Sequence, residues 1–130
     1  MYGPGQIEVG DMATVVGIFE DQYKKNKPLS IVKPGTQTRR FTHIDDTIKT
    51  CIEAWRNNKC LQYSISHKKS YSIQDLAKMF KSKIIYLKPR SGERYASALT
   101  KMSNNQRIIN KYGKIDLKDY VTSFIKDEKL

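Results

Sequence analysis

Gly35-Thr36-Gln37-Thr38-Arg39-Arg40-Phe41-Thr42-His43-Ile44-Asp45-Asp46 is the stretch that decides how the chain folds. Pro34 and Gly35 make a turn, Arg39 to Ile44 reads as a strand, and Asp45 or Asp46 then caps a helix. Behind that cap, Ile48, Cys51, Ile52 and Trp55 recur at helical spacing, so a helix is expected to about Asn57 with this stripe buried. A strand handing directly to an amphipathic helix is a unit of α/β architecture.

The same alternation continues outward. Upstream, Met12, Val15, Val16, Phe19 and Tyr23 form one apolar stripe, which predicts a helix from Asp11 to Lys25, ended by Pro28. Leu29 to Val32 is a short strand before the Pro34-Gly35 turn. Downstream, Leu61 to Ile65 reads as a strand, and Ser72 with Asp75 makes a capping-box start for a helix lined by Ile73, Leu76, Ala77 and Phe80. Lys83 to Leu87 is a further strand, closed by Pro89. A short helix over Asn104 to Tyr112 is expected to stop at Gly113, and Asp116 opens a last helix faced by Leu117, Tyr120, Val121, Phe124 and Ile125. The class is therefore α/β, in one domain over residues 1–130 with no internal repeat. Four short strands with few fully apolar runs make a weak core, so some are expected to pair with something else.

Composition bounds the function. At 130 residues the chain can bury roughly two-thirds of its unfolded surface without a disulfide or metal staple. Its net charge of +11 favours phosphates, nucleic acid or an acidic surface as partners. The basic residues are dispersed (Lys24, Lys68, Lys111 and Lys126 span the chain), so the charge serves equally as a solvated surface. Cys51 and Cys60 are the only cysteines, too few for a four-cysteine metal site and not spaced as CxxC, which fits reduced thiols in a cytoplasmic protein. No apolar run is long enough for a membrane span, and Met1 to Gly5 has no signal-peptide pattern.

Three segments carry the chemistry: Tyr2-Gly3-Pro4-Gly5-Gln6, the Gly35 to Asp46 stretch, and Arg90-Ser91-Gly92-Glu93. A Gly-Pro-Gly turn lets backbone approach a ligand closely. Arg39 and Arg90 stand beside turns at strand ends, where two guanidinium groups from separate loops can clamp a diphosphate or make surface salt bridges.

In order and spacing, these segments resemble the C-terminal portion of the extended short-chain dehydrogenase/reductase family, the NAD-dependent sugar-nucleotide epimerases and dehydratases. The family pattern is a YGPxQ-like segment, then G-x-x-x-R-D-F-x-H-V-x-D before a helix, then R-x-G-[DE]. The resemblance runs from Tyr2 to the last helix. It implies the small substrate-binding portion of that fold, without the Rossmann dinucleotide-binding unit. It further implies that Arg39 and Arg90 contact a nucleotide diphosphate, with Thr38, Phe41 and the Leu29-Ser30-Ile31 strand also at the substrate. His43 matches a position regarded as structural. Arg40 departs from the family's Asp, adding positive charge and removing a partner for neighbouring groups, and the aromatic-Pro ending after the last strand is missing. Both departures bear on substrate selectivity.

The family's NAD site needs a Gly-rich phosphate loop, and its catalysis needs a Tyr and a Lys four residues apart. No such loop is in the sequence. Tyr23 and Lys27 have the right spacing, but the helix periodicity places Tyr23 on an apolar face, and a lysine-rich chain with eight tyrosines produces such matches by chance. No cofactor is therefore expected on this chain. NAD is expected on a separate or missing Rossmann half, and a nucleotide sugar of UDP, dTDP or GDP type is the expected ligand. No catalytic triad or metal cluster stands out. His67 lies in a polar stretch that reads as a solvated loop, and Trp55 reads as packing. The competing expectations are a basic nucleic-acid-binding protein on the same scaffold, disfavoured by the lack of an RNP, zinc-finger or aromatic-basic platform, and an assembly module whose exposed apolar surface drives self-association.

Overall fold

Thr14 starts the first helix by accepting a hydrogen bond from the Gly17 amide at 3.0 Å. In the computed structural model, which describes residues 1–57, 63, 65–92 and 112–130, the elements in chain order are α1 (Val15–Lys24), β1 (Leu29–Val32), β2 (Thr38–Arg39), α2 (Ile44–Asn57), β3 (Tyr71–Ser72), α3 (Ile73–Met79), β4 (Ile84–Leu87) and α4 (Leu117–Glu128). The cap at Thr14 shortens the expected first helix: Met12 lies outside it and is exposed, while Val16 and Phe19 are buried as the periodicity required. The expected strand over 61–65 and helix over 104–112 lie wholly or largely outside the described residues.

β1 and β4 pair in parallel, with Leu29 opposite Ile84 and Val32 opposite Leu87. Parallel strands need a long crossover, here everything between residues 33 and 83, and faces covered by other elements. Helices α1 and α3 pack against β1, and α4 packs against α3. The core between them holds Val16, Phe19, Leu29, Ile31, Leu76, Phe80, Leu117 and Val121, all 1% exposed or less. Phe80 meets Phe19 edge-on at 6.0 Å and Phe124 at 6.1 Å, which adds directional contact to plain burial.

β2 pairs antiparallel with β3, Thr38 opposite Ser72 and Arg39 opposite Tyr71. The strand expected over Arg39 to Ile44 is cut to these two residues: Phe41, Thr42 and His43 all turn inward and are buried, and Ile44 already belongs to α2. Gly35 is required at the preceding turn. Its φ is +72°, and an added Cβ would stand 2.6 Å from Cγ2 of Ile31. At α3 the predicted capping box is present, with Ser72 Oγ accepting from the Asp75 amide and the Asp75 carboxylate accepting from the Ser72 amide.

The face of α2 departs most from expectation. Its buried residues are Asp46, Thr50 and Ala54, whereas Ile48, Cys51, Ile52 and Trp55 face solvent, Trp55 at 81% exposure. The cause is polar. The Asp46 carboxylate accepts a hydrogen bond from the Ile115 amide at 3.0 Å, and Thr50 donates to the Asp46 carbonyl at 2.7 Å. A buried carboxylate with a fixed backbone donor orients the helix, because turning it away would leave both groups unpaired. Nor do the aspartates cap α2. The Asp45 amide donates to Nδ1 of His43 at 3.1 Å, so His43 supplies the acceptor.

Asp116 caps α4 through the Lys118 amide and also binds two distant groups: the Tyr71 hydroxyl donates to it at 2.6 Å and Lys69 Nζ at 2.9 Å. Burial pushes this carboxyl up, but the hydrogen bonds from Tyr71, Lys69 and the Lys118 amide together outweigh burial and hold it down, from the usual 3.8 to about 2. Burial first, and then the bond to Asp116, push the Tyr71 phenol up to about 12. Because the folded value of Asp116 lies below the unfolded one, its contribution is fully present above pH 3.8 and is lost as pH falls through about 2. Urea unfolding at pH 5 and pH 2 is expected to show Asp116→Asn losing about 1–2 kcal/mol less between the two than the wild type, after discounting for partial solvent exposure.

Candidate functional site

The first two sequence motifs form one clasp. The Tyr2 amide donates to the Thr42 carbonyl at 3.1 Å, and the Ile44 amide donates to the Tyr2 carbonyl at 2.8 Å, making a parallel bridge between Tyr2 and His43. The close approach explains Gly3: its φ is +151°, and a Cβ there would lie 2.6 Å from Cγ2 of Ile44. The Tyr2 hydroxyl donates to the Ile115 carbonyl at 3.3 Å, while Asp46 holds the amide of the same residue. Both motifs thus anchor one residue, Ile115, ahead of α4.

The two aromatic groups of this clasp are both packed inward. Burial, then the carboxylates of Asp116 and Asp46, push the Tyr2 phenol well above its ordinary value. The ring of His43 is 5.2 Å from that of Tyr2 and 5.6 Å from that of Tyr120, and its Nδ1 is committed to the Asp45 amide. His43, expected inside a strand, makes only an isolated bridge with Tyr2 and directly precedes α2.

Gln6 of the first motif has a partner that the sequence did not single out. Its Nε2 donates to Oε2 of Glu20 at 2.8 Å, and its Oε1 accepts from the Thr14 hydroxyl at 2.8 Å. Glu20 is only 3% exposed, and its Oε1 has no hydrogen-bond partner of good geometry among the described residues. Burial raises this carboxyl against the opposing hydrogen bonds of Tyr120 and Gln6. Glu20 follows Val16 by four residues and Phe19 by one, so a charge on the apolar face of α1 was the available signal.

The expected substrate residues separate into two groups. Arg39 lies on β2, half-buried, with Nη1 donating to the Thr38 carbonyl at 2.8 Å, and Thr38 is also half-buried. Arg90 stands three residues beyond β4 and is exposed. Since Val32 and Leu87 are level in a parallel pair, the chain leaves toward Arg39 and toward Arg90 from the same, C-terminal edge of the sheet. In the other group, Phe41 is buried in the core and Leu29 and Ile31 are wholly buried, so their side chains are committed to packing. Ser30 gives its amide to Oε1 of Gln22 at 3.0 Å, and its Oγ accepts from Nε2 of Gln22 at 2.7 Å. Strand β1 therefore offers a ligand little beyond remaining backbone groups.

His67 differs from its sequence expectation, and Arg40 lies against the same loop. Arg40 finds partners in backbone: Nη1 donates to the carbonyls of His67 and Lys68, so its charge secures a loop. His67 is buried at 6% exposure, its amide donating to the Thr42 hydroxyl at 2.8 Å and its Nδ1 accepting from the Lys69 amide at 3.1 Å. The polar neighbours that suggested a solvated loop face outward, while His67 packs beneath them. Tyr23, discounted as a catalytic group, packs against Phe80 and Phe124.

Two open hollows of about 250 and 260 Å³ flank Pro4 and Gly5, one lined by Tyr2, Gln6 and Ile44 and the other by Glu20, Lys24 and Tyr120. Among the described residues, no cluster of His, Cys, Asp and Glu could hold a metal ion, and no helix is long and apolar enough to cross a membrane.

The fold is shared with sugar-nucleotide epimerases of known structure. UDP-glucuronic acid 4-epimerase from Bacillus cereus, solved as a Y149F mutant with a fluorinated UDP-sugar and NAD, is 26% identical, with a TM-score of 0.72 over 89% of this chain and 40% of its own. UDP-N-acetylglucosamine 4-epimerase from Methanobrevibacter ruminantium, in complex with UDP-N-acetylmuramic acid, is 22% identical, with a TM-score of 0.79 over 98% of this chain and 42% of its own. UDP-glucose 4-epimerase from Thermotoga maritima with UDP-glucose is 20% identical, with a TM-score of 0.77 over 96% and 42%. No protein-family model matches the sequence, and no curated protein matches it. The resemblance read from the three motifs is borne out at the level of fold, and the chain spans about two-fifths of the length of these enzymes.

The clasp leaves no room for a side chain at Gly3. Gly3→Ala is expected to lose about 2 kcal/mol or more, since the methyl group collides with Ile44 and the positive φ resists any side chain. Gly5→Ala, whose Cβ meets nothing within 4 Å, is expected to lose less. Paired thermal melts of the two variants check the difference.

Proposed function

We propose that this chain is the nucleotide-sugar-binding portion of an epimerase- or dehydratase-like system, with Arg39 and Arg90 as its diphosphate contacts. The observation that carries the proposal is the common departure of both arginine-bearing segments from the C-terminal edge of the β1–β4 pair. In open α/β sheets ligands gather at that edge, because the strand ends present diverging loops there. A diphosphate has oxygens on two phosphorus atoms, and two planar guanidinium groups from different loops can each take a bidentate grip. The net charge of +11 assists the approach of such an anion. Thr38, beside Arg39, adds a hydroxyl at the same place, and Leu29, Ser30 and Ile31 serve through backbone.

The named relatives supply the ligand class: solved structures of similar fold hold UDP-glucose, UDP-N-acetylmuramic acid and UDP-glucuronic acid. In this proposal the oxidation and reduction of the sugar belong to a dinucleotide-binding portion outside the sequence described here. That portion supplies NAD and the catalytic Tyr and Lys. By itself the chain binds and orients the nucleotide sugar and turns nothing over.

Calorimetric titration with UDP-, dTDP- and GDP-sugars at 0.15 M salt is the test. Saturable binding of one nucleotide class is expected, with Arg39→Ala and Arg90→Ala each weakening it by about 10- to 100-fold, the worth of a charged hydrogen bond. Binding that ignores base identity and both substitutions, and that collapses steeply with salt, would instead assign the positive charge to polymeric phosphate.

A further inference from the structure

We infer that Tyr71, through the bond of its hydroxyl to Asp116, is the positioning residue that fixes where Arg39 stands. Its bearing on a diphosphate rests on the function proposed above. The stretch that carries Arg39 is laced to the residues that lead into α3. The Gly35 carbonyl accepts from the Gln74 amide at 3.0 Å and the Gln37 carbonyl from the Ile73 amide at 3.3 Å; Thr38 then pairs with Ser72, and Arg39 with Tyr71. One end of this lacing is secured by α3, whose Leu76 and Ala77 are wholly buried. Arg39 and Tyr71 form the other end. Among the described residues β2 and β3 pair with each other and with neither strand of the β1–β4 sheet, so the sheet does not hold Arg39 in place. The end of so short a ladder opens first unless something ties it.

Tyr71 supplies that tie. Its hydroxyl donates to Oδ1 of Asp116 at 2.6 Å, and Lys69, two residues earlier, donates to Oδ2 at 2.9 Å. Asp116 is fixed in turn by the Lys118 amide at the start of α4. The bond thus runs from the ladder residue opposite the arginine to a helix cap 45 residues away. Directly opposite residues of an antiparallel pair share a face, so a displacement of Tyr71 reaches Arg39 before any other residue of β2. The Asp116 carboxyl is held low and the Tyr71 phenol high, so acceptor and donor keep their roles across neutral pH. A guanidinium that grips phosphate through two parallel bonds depends on direction as well as distance, so its strand must be held still.

Tyr71→Phe removes the hydroxyl and keeps the ring. In calorimetric titrations with UDP-glucose it is expected to weaken binding about three- to tenfold, to add nothing in an Arg39→Ala background, and to keep its full factor in an Arg90→Ala background. A loss of the same factor in both backgrounds marks a general effect on the fold and overturns the inference. A second measurement needs no ligand. In NMR relaxation of the free chain, Tyr71→Phe is expected to lower the heteronuclear NOE of the Arg39 Nε–H, the mark of freer fast motion, while the backbone amides of α1 stay as rigid as before. An Arg39 signal as rigid as in the wild type overturns the inference whether or not UDP-glucose binds. If Tyr71→Phe loosens Arg39 but the wild type binds no nucleotide sugar, the positioning stands and the diphosphate reading falls, so the two failures are distinguishable.

Discussion

The parallel pairing of β1 with β4 is the constraint from which the rest follows. A parallel pair cannot be closed by a tight turn, so residues 33–83 must travel over the sheet before returning. That excursion contains β2, α2, β3 and α3, and it carries Arg39 on β2. Two strands alone are marginal in water, and they persist because α1 and α3 cover β1.

Polar ties then hold the excursion and the last helix in place. Ile115 is bound on both sides, its amide by Asp46 and its carbonyl by Tyr2. Asp116, next in sequence, gathers Tyr71, Lys69 and the start of α4. The ties from Tyr2 and Asp46 to Ile115 span 113 and 69 residues, so two of the motifs that look like ligand signatures are also long-range fasteners of the fold. Conspicuous residues in such a motif divide accordingly. Tyr2, His43 and Asp46 make buried ties, Phe41 is core, and Arg39 lies half-buried on β2.

The elements most legible in the sequence were those fixed by local chemistry. The Ser72–Asp75 capping box, the Asp116 cap, the strand Leu29–Val32 and the inner face of α4 are written in short patterns whose physics does not depend on distant residues. The orientation of α2 was not legible. Its apolar period pointed to burial, but the winning interaction joins Asp46 to a backbone amide 69 residues away, which no local pattern encodes. His67 misled for the same reason, since its amide is tied to Thr42, 25 residues away. At the candidate site the motif spacing singled out Arg39 and Arg90. The commitment of Leu29, Ile31 and Phe41 to the core, and of Ser30 to Gln22, required the fold.

The central claim is that two arginines from separate loops meet one diphosphate. Arginine side-chain NMR during titration with UDP-glucose addresses it at the groups themselves, with the Nε–H signals of Arg39 and Arg90 assigned from Arg39→Lys and Arg90→Lys. Both signals are predicted to shift together along a single saturating curve that survives 0.3 M salt. If neither moves, or if small shifts spread over many arginines and vanish with salt, the two do not form a diphosphate site.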